Sequence, residues 1–346
     1  MTKPIVVKAG SENPDPLSGI TYPIPKCLAN LRARCEVRVT EDEQEATLIE
    51  AVADATVLMI TYGKVSRAVL EAGQPTLKTV IKMGTGIDSI DFEAAKTLGV
   101  RVANCPGYAE YAVAECAFLL LINCFKKFRM IDARMQSSGW MGPSEDSKSL
   151  ELFNKTVGLV GFGHINRRLA RMCQGFGMHI RAYDPYVSAD EMTAFGCTKV
   201  DELSTLAQDA DVLAVCVPLN AETKGLISRK ILAAMKPSAF LVNVGRGATV
   251  DEGALVDALT QGNIAGCGLD VFSKEPLEKT GHAMSGLLDM ENVVLFPHLA
   301  AWTSDTWERL QEEVEAHVLD AIEGRALTIR SSDPRLAGQV GCIYAP

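Results

Sequence analysis

Short apolar runs rich in β-branched residues alternate with helical patterns along nearly the whole chain, and this alternation limits the fold more than any other feature. Runs that are apolar at consecutive positions suit strands covered on both faces. A strand–helix–strand repeat then delivers parallel strands with helices packed over them. Two such sets are legible. In the first, strands are predicted at 4–8, 35–39, 57–60, 79–82 and 101–103, with helices between them that include 43–52 and 92–98. One long helical pattern follows from Tyr108 to Met135, then a polar link over 136–149 broken by Gly139, Gly142 and Pro143. The second set predicts strands at 155–160, 179–183, 212–217, 240–243, 265–269 and 293–296, with helices at 166–176, 205–207, 229–234 and 253–261. A last helix at 304–322 lies too far along the chain to join the first set by adjacency alone.

A length of 346 residues suffices for two domains, and 47% hydrophobic with 22% charged residues is the balance of a soluble globular protein. The net charge of −9 repels nucleic-acid backbones and anionic membranes, and Lys126-Lys127 and Arg167-Arg168 are only isolated basic pairs. Neither nucleic acid nor membrane is therefore an expected partner. The ten cysteines are scattered in apolar context, without a C-x-x-C or a histidine at metal spacing, which predicts reduced thiols and no metal. The opening MTKPIVVKAGSENPDP lacks the apolar core of a secretory leader, so a cytoplasmic location is expected. The apolar run Cys116–Ile122 is far shorter than the ~20 residues of a membrane-spanning helix.

The segment from Lys155 to Asn166 reads as a strand, a glycine-rich turn and a helix start, the pattern that cradles a dinucleotide pyrophosphate. Gly161 permits the tight turn, and Gly163 lets the backbone approach phosphate at the positive end of the helix. The backbone of His164, rather than its ring, would meet that phosphate, together with Ile165. Asn166 stands where a third glycine is usual, which implies a displaced helix or a side chain turned aside. Asp184 closes the next strand 21 residues beyond Gly163, where an acid accepts hydrogen bonds from ribose hydroxyls and repels a 2′-phosphate. That favours NAD (NADH) over NADP; the bland reading is a turn at Asp184-Pro185.

The segments VNVGRG, GLDVFSKEP and FPHLAAW place Arg246, Glu275 and His298 at spacings of 29 and 23 residues. A guanidinium that never titrates, a carboxylate and an imidazole are the parts that move a proton while a hydride is exchanged at a carbonyl carbon. His298 follows the strand VVLF through Pro297, at the carboxyl end of a strand, where open parallel sheets form their ligand crevice.

With these motifs the chain resembles the D-isomer-specific 2-hydroxyacid dehydrogenases, over about residues 75 to 310 closely and over the first 70 in pattern only. The resemblance implies an α/β architecture of two Rossmann-like doubly wound parallel-sheet domains: a discontinuous substrate domain, 1–107 plus 303–346, and an NAD-binding domain, 108–302. It implies an NAD-dependent oxidoreductase interconverting a small anionic D-2-hydroxy acid and its 2-oxo acid in a cleft between the domains, and a homodimer. His298 is then the general acid/base, Glu275 its partner and Arg246 the substrate anchor. Glu275 distinguishes the chain from formate-oxidising relatives, which resemble the pattern with Gln there.

By the same resemblance Cys216, where a His is common, Pro218 and Thr223 flank the adenosine. The turn Val244, Gly245, Arg246 and the residues Asp270 and Ala300 lie on the nicotinamide side, although Asp270 also reads as a strand-end cap. Gly84, Thr85 and Gly86 form a backbone nest for the substrate carboxylate. Lys82, where the family often has Arg, is a distal substrate contact or a solvated lysine. Trp302 walls the pocket or packs the returning helix. Two rival functions keep the motifs: an NAD(H)-sensing, corepressor-like scaffold, and a dehydrogenase of another anion such as phosphite.

Overall fold

A computed structural model describes residues 3–10, 26–331 and 333–344, so Met1, Thr2 and 11–16 of the stretch read for a leader lie outside the described residues. The chain divides into two compact units, Met1–Ala109 with Thr303–Pro346, and Glu110–Trp302. The first unit begins with β1 (Ile5–Lys8), α1 (Lys26–Arg34), β2 (Glu36–Val39), α2 (Glu45–Ala51), β3 (Val57–Ile60), α3 (Arg67–Ala72), β4 (Thr79–Lys82), α4 (Phe92–Thr97) and β5 (Arg101–Asn104). The second holds α5 (Glu110–Lys126), α6 (Phe128–Ser138), β6 (Thr156–Val160), α7 (His164–Gly175), β7 (His179–Tyr183), α8 (Ala189–Ala194), β8 (Thr198–Lys199), α9 (Leu203–Asp209) and β9 (Val212–Val215). It continues with α10 (Arg229–Ala234), β10 (Phe240–Asn243), α11 (Glu252–Thr260), β11 (Gly266–Leu269) and β12 (Val293–Leu295). The chain then returns to the first unit with α12 (Ser304–Ile322), β13 (Leu327–Ile329) and β14 (Cys342–Tyr344).

Every strand pair in the five-stranded sheet of the first unit is parallel, in the order β2-β1-β3-β4-β5. The central strands VLMI and TVIK are buried at every position, because helices cover both faces and no alternation with polar residues is needed. Helix α12 supplies part of that cover through Leu310, Val314, Val318 and Ala321, spaced three or four apart along one stripe. It starts at a capping box in which the Thr303 hydroxyl accepts from the Thr306 N–H and the Thr306 hydroxyl from the Thr303 N–H. Asp91 caps α4 in the same spirit, accepting from the Ala94 N–H at 2.9 Å.

The seven-stranded sheet of the second unit is also wholly parallel, in the order β12-β11-β10-β9-β6-β7-β8. The chain starts at β6 in the middle, winds outward through β7 and β8, then crosses back to β9 beside β6. The order therefore reverses between β6 and β9, the position at which doubly wound sheets open a crevice.

The single helix expected from Tyr108 to Met135 is two. Lys127 adopts φ 52°, in the left-handed region, ending α5 and serving as the N-cap of α6, with its Nζ donating to the Asp146 carbonyl at 2.8 Å. Periodicity misses such a break because the usual sign is a glycine or asparagine, and Lys gives none.

Helix α5 buries Ala112, Val113, Ala114, Ala117, Leu120, Leu121 and Phe125 and packs on β10 and β11. The approach is close enough that a Cβ added at Gly268 of β11 would lie 2.8 Å from the Leu120 Cβ. Among the described residues no helix is long and apolar enough to cross a membrane. All ten cysteines are free thiols, eight of them buried. Overpacking of this kind costs about 1–3 kcal/mol, so Gly268→Ala is expected to lower unfolding stability by that amount in a urea titration.

Candidate active site

The candidate residues of the second unit follow the last residues of successive strands, so their grouping comes from the sheet. After β6, Gly161 turns at φ +85°, where a Cβ would strike Val217 Cγ1 at 2.7 Å and the Cys216 carbonyl at 2.9 Å. Gly163 is the N-cap of α7, and a Cβ added there would meet nothing within 4 Å. The first turn of α7 thus presents main-chain N–H groups beside open space, with no side chain at the cap. This arrangement fits a pyrophosphate.

Asn166 is buried and turned back, its Nδ2 donating to the Val160 carbonyl at 3.1 Å and the Gly161 carbonyl at 2.7 Å. Of the two expectations for this position, the side chain turned aside is the one observed. The amide satisfies carbonyls at the end of β6 and so substitutes a polar tie for the close packing of a glycine. His164 opens α7 with its ring half exposed, Nδ1 lying 3.6 Å from Glu110, and Ile165 is half-buried beside it. Glu110 also receives Arg168 Nη2 at 2.6 Å, and that guanidinium stacks 3.6 Å from the Tyr111 ring centroid.

Asp184 stands one residue past β7. Its Oδ2 accepts from the Phe162 N–H at 2.7 Å and its Oδ1 from the Tyr186 N–H at 2.9 Å, tying the acid directly to the glycine turn. Arg181 is engaged elsewhere, paired with Asp209. Past β9, burial pushes the Cys216 thiol up to about 12 against the opposing pull of Arg246. The following loop closes on itself: the Thr223 hydroxyl donates to the Pro218 carbonyl at 2.6 Å, and Asn220 Oδ1 accepts from the Thr223 N–H at 2.9 Å.

Past β10, the buried Asn243 organises the Val244–Arg246 turn from both ends of its amide. Its Oδ1 accepts from the Gly245 N–H at 3.0 Å and its Nδ2 donates to the Arg246 carbonyl at 3.0 Å. Arg246 Nη1 donates to the Gly245 carbonyl at 2.9 Å. Gly247 admits no side chain, because a Cβ there would come within 1.9 Å of the Phe272 main chain.

Past β11 and β12 the charged groups converge. His298 Nδ1 lies 2.7 Å from Glu275 Oε2, and Glu275 Oε1 accepts from the Phe272 N–H at 3.0 Å, so the carboxylate is held at both oxygens. Burial alone would raise the Glu275 carboxyl. The His298 hydrogen bond, the Phe272 N–H and the charges of His298 and Arg246 together hold it below its usual value. With Nδ1 tied, Nε2 is the nitrogen the imidazole presents outward. His298 itself sits at φ 55°, a region costly for a side-chain-bearing residue, and its N–H donates to the Asp270 carbonyl at 2.8 Å.

Asp270 is buried, with Oδ1 accepting from the Leu299 N–H at 3.0 Å and both oxygens 3.3 Å from the Ala300 N–H. It therefore fixes the backbone immediately after His298. Burial pushes its carboxyl up to about 6; the His298 charge and the two N–H groups oppose the rise, and Glu275 adds to it. Trp302 ends this segment partly exposed, its N–H donating to the Leu299 carbonyl at 2.9 Å.

In the first unit, Lys82 ends β4 almost fully buried, its Nζ 5.8 Å from the Tyr62 ring centroid. The next turn holds Gly84 at φ +153°, with its N–H closed onto the Lys82 carbonyl at 2.9 Å. The Thr85 carbonyl accepts from Asn104 Nδ2 at 2.6 Å, and Gly86 follows. Sequence reasoning overlooked Asn243, although it is the second residue of VNVGRG, and Glu252, whose carboxylate accepts from the Ser273 N–H at 2.6 Å and holds the turn before Glu275. It also overlooked the Glu110–Arg168 pair, whose members carry no local signature.

The chain is similar to known proteins. Residues 118–300 match the model of the D-isomer specific 2-hydroxyacid dehydrogenase NAD binding domain. A D-3-phosphoglycerate dehydrogenase of Mycobacterium bovis is 36% identical over 300 residues, 87% of this chain but 55% of that protein, so the chain spans about half the length of such relatives. A glyoxylate reductase of Thermococcus litoralis is 37% identical over 276 residues, covering 78% of this chain and 81% of its own length. Among solved structures, an NADPH-dependent glyoxylate/hydroxypyruvate reductase of Sinorhizobium meliloti in complex with NADP and malonate superposes with a TM-score of 0.81 at 30% identity, covering 94% of this chain and 95% of that one.

Asp270 gives the site a measurable signature. Between the ordinary value of 3.8 and about 6, the folded chain keeps a proton that the unfolded chain has released. The contribution of this carboxyl to stability is thus complete below 3.8 and lost as pH rises through about 6. Asp270→Asn is expected to remove that part of the slope, read by comparing urea unfolding of the two proteins at both ends of the window.

Proposed function

The chain belongs to the D-isomer-specific 2-hydroxyacid dehydrogenases, and from that premise we propose that it is an NAD-dependent oxidoreductase interconverting a small D-2-hydroxy acid and its 2-oxo acid. The observation that carries this reading is the 2.7 Å contact of His298 Nδ1 with Glu275, set within the charge field of Arg246. The nicotinamide would supply a hydride to the carbonyl carbon or accept one from the hydroxyl-bearing carbon.

The remaining tasks fall to side chains of this chain. In reduction, negative charge develops on the carbonyl oxygen and needs a proton. Glu275 fixes the ring so that Nδ1 keeps its hydrogen and Nε2 delivers its own; in oxidation the same nitrogen takes the hydroxyl proton. Arg246 offers a planar fork to the substrate carboxylate and the oxygen undergoing change. In the first unit we assign Lys82, Thr85 and Gly86 to the distal end of the substrate, since the Gly84 N–H is already spent within its own turn.

The cofactor would lie along Gly163, His164 and Ile165 at the start of α7, with Asp184 against the adenosine ribose, Pro218 and Thr223 beside the adenosine, and Val244, Asp270 and Ala300 toward the nicotinamide. A carboxylate at Asp184 opposes a 2′-phosphate, which supports NAD over the NADP carried by the Sinorhizobium meliloti enzyme. Exposed Tyr111, Leu119 and Phe128 on α5 and α6 fit a homodimer, and the free thiols fit a cytoplasmic setting.

His298→Gln is expected to retain NADH binding by fluorescence while turnover falls ~10²–10⁴-fold, the range of a lost general acid. Glyoxylate, hydroxypyruvate, pyruvate, phenylpyruvate and 3-phosphohydroxypyruvate, followed by loss of NADH absorbance, define the substrate; unchanged turnover in the variant would overturn the assignment. Asp184→Ser should narrow the preference for NAD over NADP in kcat/KM. An unaltered ratio removes Asp184 from cofactor selection.

A further inference from the structure

We propose that Cys105, Glu313 and His317 form a site for one zinc-class divalent cation, built wholly within the first unit. Cys105 is the residue after β5, and Glu313 and His317 lie one helical turn apart on α12, where an i,i+4 pair shares a face. One potential ligand atom from each, the Cys105 Sγ, a Glu313 carboxylate oxygen and a His317 ring nitrogen, lies within 4.8 Å of the other two. A tetrahedral zinc site holds its ligand atoms roughly 3.5 Å apart. Side-chain rotation alone can close a gap of that size.

The histidine supplies an independent sign. His317 is only 6% exposed, yet its Nε2 has no hydrogen-bond partner. Nε2 is therefore a buried polar atom left without a bond. A buried polar atom left so costs about 1–3 kcal/mol. A bound metal ion would take the lone pair of such a nitrogen.

The donor set also selects the ion. A thiolate, a carboxylate and a neutral imidazole exactly offset a divalent charge when the thiol proton is released, so the loaded site would be neutral in its low-dielectric surroundings. Mixed S, N and O donors suit zinc and its neighbours in the transition series and disfavour magnesium or calcium, which require oxygen ligands. Three protein ligands leave the fourth position to water. The spacing rules applied to the sequence could not find this group, because its members come from a strand end and a helix separated by the entire second unit. No step of the proposed hydride chemistry uses it; its effect would be to pin α12 to the end of β5.

The test uses the full chain, freed of any affinity tag and stripped with a chelator, titrated with cobalt(II) as a spectroscopic stand-in for zinc. One equivalent should produce a thiolate-to-cobalt charge-transfer band in the near ultraviolet, which zinc then abolishes, and zinc should raise the Tm of the same protein. Cys105→Ala should lose the band, while His317→Gln and Glu313→Gln should weaken binding by at least the ~10–100-fold known for loss of a mere outer partner. Glu313 is the least buried of the three, so Glu313→Gln serves where the core variants fail to fold. Absence of the band at saturating cobalt, its persistence in Cys105→Ala, or equal affinity in Glu313→Gln would each overturn the site.

Discussion

Parallel pairing forces every strand of the seven-stranded sheet to finish on one edge, and the chemistry of the second unit hangs on that constraint. Phe162 follows β6, Asp184 follows β7, Cys216 follows β9, Arg246 follows β10, Asp270 and Glu275 follow β11, and His298 follows β12. Residues spread over more than a third of the chain are thereby delivered to one line without any long loop having to reach for them. The crossing from β8 back to β9 opens that line where the first turn of α7 presents its N–H groups. Fixed strands also explain why so many of these residues are held by main-chain bonds. The Phe162 N–H holds Asp184, the Phe272 N–H holds Glu275, and the Leu299 and Ala300 N–H groups hold Asp270.

Around His298 the two carboxylates are differentiated by their surroundings. Glu275 shares the imidazole hydrogen bond and feels Arg246, and stays below its ordinary range. Asp270 lies deeper, accepts only main-chain N–H groups, and is pushed up to about 6. Separate environments for two acids are a common way for one site to keep one of them ionised and let the other carry a proton. Here the more buried acid positions the loop that presents the histidine at a strained φ of 55°, and the other orients its ring.

The elements legible in the sequence were those with consecutive apolar residues. Strands read at 57–60, 79–82 and 240–243, and the helix at 304–322, stand at those residues because burial on both faces, or along one stripe, leaves an unambiguous pattern. The two-residue edge strand β8 carries no such pattern, and the left-handed Lys127 carries no glycine to announce it. At the site, Arg246, Glu275 and His298 could be named as a group because each lies in a local motif. The depth of Asp270 and the two-ended clamp of Asn243 could not, since burial and hydrogen-bond direction belong to the assembled sheet. The turned-back Asn166 lies between these cases: the sequence poses two alternatives, and only the positions of the β6 carbonyls choose between them.

The first unit is assembled from two segments of the chain, with the whole second unit inserted between β5 and α12. During synthesis the second unit is complete while the face of β3 and β4 that α12 covers still awaits Val314 and Val318. The uninterrupted unit can therefore fold first, and the apolar face of β3 and β4 stays uncovered until α12 emerges, which places its period of greatest exposure to aggregation between the completion of the second unit and the synthesis of α12.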